Sequence, residues 1–248
     1  MLLTISHQLT LAQGNHAYRF EYIPPTERHA LAVGELLKSL SPLQQPEFKI
    51  DTIEVWKKWS LVDNYSFGKD RGSLPMITEL NALHPYFRDK ISELIQLCKL
   101  NGINLAVVET FRTRSKQNEY KSMGKKYTRS AGGSSKHQYG LAVDLVPIID
   151  SAAVWDNVIL WRKIGIVGEK LGLRWGGKWK YPYDPGHFEW SGGLTSNHFA
   201  AGVFPTIPTK ENYPCIDDDI KLLKSYWAAW EIEQATYARK ELSASKMK

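Results

Sequence analysis

The chain has 248 residues, 43% apolar and 23% charged, with a formal net charge of +6 at neutral pH. That length fits one large domain, or one domain with sizeable extensions, and the composition excludes wholesale disorder. No apolar run reaches the roughly 18 residues of a membrane span, and two cysteines are too few for a disulfide framework or a cysteine-rich zinc site.

The opening MLLTISHQLTLAQGNHAYRF lacks the basic start and apolar core of a secretory signal. Residues 1 to about 75 carry no motif. Within them LTISHQLTL alternates like a strand, ERHALAVGELLKSL is helical in pattern and SPLQQPEF is a break. From Pro85 the pattern sharpens. Apolar residues at 87, 91, 94, 95 and 98 predict an amphipathic helix that stops at Gly102, with Cys98 as a buried thiol and a disulfide to Cys215 as the disfavoured alternative. INLAVVETF predicts a strand, RSKQNEYKSMG a short helix and KKYTRSAGGSS an exposed basic loop. A strand over residues 140–146, a helix over VWDNVILWRKIGIVGEKLG and an aromatic strand-and-turn segment, LRWGGKWKYPYDPGHFEW, come next. The tail from Ile216 reads as one long helix whose acidic start suits the helix dipole. Helices mixed with few, non-alternating strands predict an α+β fold.

Within SSKHQYGLAVDLVP, Asp144 stands in the middle of a segment that otherwise reads as a core strand. A buried carboxylate needs an arginine, a set of backbone amides or a cation. His137, seven positions earlier, makes the cation worth testing, and YDPGHFEW adds His187 with Asp184 three residues before it. Catalytic zinc commonly takes three protein ligands and leaves a position for water. A separate carboxylate must then accept the water's proton, and Asp184 is the spare acid.

Ser135 to Asp144 matches the S-x-H-x-x-G-x-A-x-D signature of the M15 zinc peptidases at every fixed position. RWGGKW with DPGHFEW resembles blocks of that family's endopeptidase branch, and VVETFRTRSKQNEY resembles the segment ahead of its metal site. The resemblance spans roughly residues 80 to 190 and is carried by several spaced motifs in order. It implies a small antiparallel sheet with flanking helices around a mononuclear zinc, like that of hedgehog and D-Ala-D-Ala peptidases. His137, Asp144 and His187 would hold one zinc ion per chain. Asp184 would be the base, an aspartate as in the endolysin-like members where other relatives have glutamate. Arg112 would polarise the scissile carbonyl or hold a substrate carboxylate, with Arg114 as a substitute.

Ser135, Gln117 and Trp175 are the substrate-binding candidates. Each has a plainer reading: backbone satisfaction for Ser135, a helix-surface or supporting role for Gln117 and packing for Trp175, as for Trp179. Arg112 could instead pair with Glu109 or Glu119 on the surface. Glu189 is a further acid, or a strand residue facing away; His198 reads as a surface or core histidine. The implied substrate is the stem peptide of peptidoglycan, cut between L-Ala and D-Glu, with D-alanyl-D-alanine carboxypeptidase or D,D-endopeptidase as alternatives. Action at the bacterial cell wall, in the periplasm or outside, would follow, with delivery by lysis, a secretion system or a partner; an inhibitor protein is also conceivable. No nucleic acid and no stable membrane insertion are expected. Residues 1–75 are expected as an N-terminal extension, 76–200 as the peptidase domain and 201–248 as a C-terminal helical extension. A non-haem iron facial triad is disfavoured because its first pair usually sits as H-x-D. A non-catalytic zinc-containing binding module is disfavoured by the presence of Asp184 and Arg112.

Overall fold

The computed structural model describes residues 61, 62, 67 and 70–245, apart from 126, 129 and 131, and only the backbone of 61–62 and 241–245. The strand expected in LTISHQLTL, the helix in ERHALAVGELLKSL and most of the 1–75 extension lie outside these residues.

A short strand, β1 (Leu61–Val62), pairs antiparallel with β2 (Met76–Ile77). Helix α1 (Pro85–Leu100) opens on a proline, whose missing N–H costs nothing in the first turn. Its Phe87, Ile91, Leu94 and Cys98 recur at helical spacing and are fully buried. The chain then turns into β3 (Asn104–Glu109) and α2 (Arg114–Ser122), whose N-terminus is capped by the Thr113 hydroxyl accepting from the Lys116 N–H at 3.0 Å. The buried face of α2 is polar, made by Lys116, Gln117 and the amphipathic Tyr120. There follow β4 (Ala142–Ile149), β5 (Ala152–Ala153), α3 (Val158–Lys170), β6 (Arg174–Trp175), β7 (His187–Glu189), α4 (Ser196–Ala200) and α5 (Ile216–Ser245).

The fold is α+β, as expected. Strands β3, β4, β7 and β6 lie in that order in one antiparallel sheet, and β5 pairs with β4. One face of this sheet is apolar. Val143, Leu145, Phe188 and Trp175 point to it and join the buried stripe of α1 with Trp161 and Ile164 of α3 in one core. Helix α3 can sit this close because a Cβ at Gly165 would lie 2.3 Å from the Trp175 ring, and one at Gly168 2.5 Å from Phe188. Glycine is required there by contact, not by backbone angle.

The region read as a C-terminal extension is part of the same compact unit, which spans residues 51–248. Leu223, Trp227 and Trp230 of α5 form a second core with Ile77, Ala82 and Phe111. The Trp227 ring stacks on Phe111 at 5.2 Å and its N–H donates to the Ala82 carbonyl at 2.9 Å. Gln234 accepts from the Thr113 hydroxyl at 2.6 Å and donates to the Pro75 carbonyl at 3.0 Å. The buried face of α5, through Gln234, therefore braces both the start of α2 and the approach to β2. Cys98 is a buried free thiol and Cys215 an exposed one. Among the described residues no helix is long and apolar enough to cross a membrane.

Candidate active site

The second face of the sheet is polar. Glu109, Asp144 and His187 stand opposite one another in register across β3, β4 and β7. Side chains alternate along a strand, so Asp144 faces away from Val143 and Leu145, and His187 and Glu189 both face away from Phe188. Of the two readings of Glu189, that parity places it as a further acid beside His187 and not as a strand residue facing away, since residues two apart share a face. His137 arrives from the short helical turn Lys136–Tyr139 just ahead of β4. Ser135 opens that turn, where its N–H and that of Gly133 donate to the buried Gln138 side chain.

Three ligand atoms converge here. His137 Nε2 lies 3.3 Å from His187 Nδ1, and both approach Asp144 Oδ1, at 3.3 and 3.1 Å. The other nitrogen of each ring is committed elsewhere. His137 Nδ1 donates to the Thr110 carbonyl at 2.8 Å, and His187 Nε2 donates to Glu189 Oε2 at 3.2 Å. With those protons placed, two imidazole lone pairs and a carboxylate oxygen face each other. Only a shared proton or a cation makes that arrangement stable. Zinc bonds of about 2.0–2.1 Å give a tetrahedron with edges of about 3.3 Å, which the three separations match. Outer partners that fix each ring and its tautomer are what metal-binding histidines normally have. The donor set therefore fits zinc, and among the described residues it is the group of acids and histidines able to hold a metal ion.

The electrostatics follow from burial set against charge. Burial disfavours the charged form of His187, yet its bonds to Asp144 and Glu189 outweigh this and raise its pKa to about 10. His137 goes the other way, lowered by burial and by the Arg112 charge. Burial opposes ionisation of Asp144, but His137, His187 and Arg71 hold it well below the usual carboxylate range. Glu189, buried but paired with His187 and Lys136, falls to about 2. The Asp184 carboxyl is pushed up by burial and by the charge of Asp144. Its backbone closes the turn before β7, accepting from the His187 N–H at 3.2 Å.

Arg112 lies at this site but is buried, and does not pair on the surface. Its Nη2 donates to Glu109 Oε2 at 2.5 Å and to Asp144 Oδ2 at 3.4 Å, its Nη1 donates to Gln117 at 3.1 Å, and Tyr120 underlies the guanidinium. Glu119 pairs with Lys116 instead. Arg114 is exposed, its backbone N–H bound by Glu231. Two of the substrate-binding candidates are buried, in the places their plainer readings gave them. Gln117 is fully buried and ties Arg112 to the Thr128 hydroxyl and the Ser130 carbonyl. Trp175 pairs in register with Phe188, so it faces the core, and its indole N–H donates to the Pro185 carbonyl at 2.8 Å. Trp179 is the tryptophan near the site, its ring 5.0 Å from His187. His198 is a surface residue that caps α4. Arg71 was missed by sequence reasoning. Its Nη1 lies 3.3 Å from Asp144 Oδ2, but it belongs to a stretch with no motif.

A family model described as D-alanyl-D-alanine carboxypeptidase, of the M15 peptidases, matches residues 128–190. The peptidoglycan L-alanyl-D-glutamate endopeptidase CwlK of Bacillus subtilis (strain 168) is 30% identical over 121 residues, covering 43% of this chain and 72% of the relative. The chain belongs to the M15 peptidase family. It is an enzyme of the metallopeptidase class, and M15 peptidases are zinc-dependent. Among solved structures, the L-Ala D-Glu endopeptidase ChiX of Serratia marcescens is similar with 25% identity and a TM-score of 0.37, over 49% of this chain and 86% of that one. A VanY D,D-pentapeptidase in complex with Zn(II) is similar with 18% identity and a TM-score of 0.34, over 59% and 84%.

Proposed function

We propose that this M15 peptidase hydrolyses the stem peptide of peptidoglycan between L-Ala and D-Glu, using one zinc ion held by His137, Asp144 and His187. The observation that carries the reading is the triangle of ligand atoms with Asp184 beside it. CwlK, named for that bond, supports the choice of bond. When bound, zinc supplies Lewis acidity that polarises a carbonyl and acidifies water. Glu189 and the Thr110 carbonyl keep both imidazoles in the tautomer that presents a lone pair. Arg112, itself anchored by Glu109, donates to the far oxygen of Asp144 and holds it in place. Asp184 takes one proton from the attacking water and returns it to the leaving amine, for which a raised carboxyl pKa is suited. The half-buried Trp179 gives the cleft an aromatic wall, and Ser135 stands at the entry to the His137 turn.

Action at the cell wall outside the membrane follows from that substrate. The excess of positive charge would concentrate the enzyme on an anionic wall. Mass spectrometry of purified peptidoglycan fragments tests the bond. Stem peptides should be released free of muramic acid. Loss of one terminal D-Ala would instead identify a carboxypeptidase, the activity for which the matching family model is named.

A further inference from the structure

Glu189 carries one negative charge and meets two cations. Its Oε1 accepts from Arg174 Nη1 at 2.7 Å, and its Oε2 lies 3.1 Å from Lys136 Nζ and 3.2 Å from His187 Nε2. A histidine that holds a metal through its other nitrogen is neutral, so the cluster keeps one surplus positive charge. The two cations are not equivalent. The Lys136 side chain is nearly enclosed, with 16% of its surface left, whereas that of Arg174 keeps 62%. Arg174 therefore presents the surplus charge to solvent.

The sheet sets where that charge stands. Strand β6 lies at the end of the sheet order beside β7, and Arg174 pairs in register with Glu189. Cross-strand partners share a face, so Arg174 projects on the polar side, that of the metal ligands. Its guanidinium lies over the Trp179 ring, 5.3 Å from the centroid, and the Trp179 ring lies 5.0 Å from that of His187. The ring contact and the Glu189 bond together orient a side chain that is free to rotate elsewhere on a surface. Nη1 is used by Glu189, while Nε and Nη2 meet no acceptor among the described residues. Those two N–H groups are parallel and form the fork that takes both oxygens of a carboxylate. Lys178, four residues on, is tied to Glu169 at 2.7 Å instead.

A D-Glu residue has two carboxyls. One continues the peptide and the other is free, a single residue from the bond assigned above. The amine released by cleavage belongs to that residue, so its free carboxylate enters the cleft with the leaving group. We propose that Arg174 is a specificity-determining residue that binds this free carboxylate through Nε and Nη2. The proposal rests on the bond assignment above and leaves water activation to Asp184.

The test uses the zinc-loaded full chain and two synthetic peptides. One is N-acetyl-L-Ala-D-Glu continued through its side-chain carboxyl to L-Lys; the other has the free D-Glu carboxyl as a carboxamide. The wild-type protein should cleave the acid with a kcat/KM about 10-fold or more above that for the amide, the scale of a charge-assisted hydrogen bond. Arg174→Gln should erase that preference, mostly by raising KM for the acid. Arg174→Lys, which keeps the charge but not the fork, should retain part of it. A merely structural role, supporting Glu189 or the metal, would slow both peptides alike and leave their ratio intact. Equal cleavage of the two peptides by the wild-type protein, or an undiminished preference in Arg174→Gln, overturns the proposal and leaves the bond assignment standing. Cleavage of neither peptide between L-Ala and D-Glu overturns the bond assignment, and this proposal with it.

Discussion

His84 and His187 are both buried, with 1% and 8% of their surface exposed, yet their environments drive them in opposite directions. His84, at the N-terminus of α1, lies beside the rings of Trp190 and Phe204, and its Nδ1 is sealed with no partner. Burial, with the nearby Arg88 charge, lowers its pKa to about 4. His187 has Asp144 on one nitrogen and Glu189 on the other, and rises to about 10. Burial alone neutralises a histidine. Buried acids on both sides turn it into a cation or a ligand for one. Convergent partners, not depth in the fold, distinguish the site.

Breaking the convergent side should have the largest effect. His187→Ala removes one corner of the triangle, so zinc affinity should fall by more than the 10–100-fold typical of losing an outer partner, and hydrolysis should disappear. Metal analysis after dialysis checks this. Full zinc retention in both His137→Ala and His187→Ala would refute the ligand assignment. Next in size is Asp184→Asn, which keeps the shape of the turn and removes the proton acceptor. The rate should drop by roughly 10²–10⁴-fold with zinc still bound. Near-normal turnover in that variant would move the base elsewhere on the polar face.

The other side of the comparison predicts an acid response unrelated to the metal. His84 has a folded pKa near 4 against an unfolded value of 6.5. Below pH 6.5 the unfolded chain takes up a proton that the folded chain refuses, so stability falls with pH until about 4 and then levels off. The loss is at most roughly 3 kcal/mol. Besides Arg88, the charged groups around this ring line the cavity that His84 shares with Glu211, Asp217, Lys221 and Lys224, and Lys90 neutralises Glu211. His84→Gln should flatten the acid limb of a denaturation series between pH 6.5 and 4. An unchanged slope would mean that other groups set it.

How much of this was legible in the sequence depended on the range of the interaction. The Ser135–Asp144 block and DPGHFEW encode their chemistry locally, because a turn and the alternation of a strand fix where each side chain points. The elements from Pro85 onward were legible for the same reason. Arg71 was not, because its partner Asp144 lies in a distant strand and Lys116 and Glu119 hold its segment through tertiary contacts. Trp175 stayed between cleft and packing because its face depends on pairing with Phe188, which sequence spacing does not reveal. The tail read correctly as a helix, but its role in bracing Thr113 and Pro75 depended on which face met the core.

The smallest of these effects sharpens the comparison most directly. Glu189 accepts from His187 Nε2 at 3.2 Å and also pairs with Lys136 at 3.1 Å and Arg174 at 2.7 Å. Glu189→Gln keeps the length of the side chain and an oxygen able to accept the imidazole proton. It removes the negative charge, which makes the imidazole a weaker donor to a metal. It also leaves two cations beside the ring without their counter-ion. Both changes act against a bound dication, so zinc affinity should fall by about 10–100-fold, the range for outer partners. Competition with a chelator measures this directly in the folded protein. Glu189→Ala should lose more, because no acceptor remains to fix the tautomer. If Glu189→Gln binds zinc as tightly as the parent chain, charge beside His187 does not set its affinity, and the contrast with His84 reduces to hydrogen bonding alone.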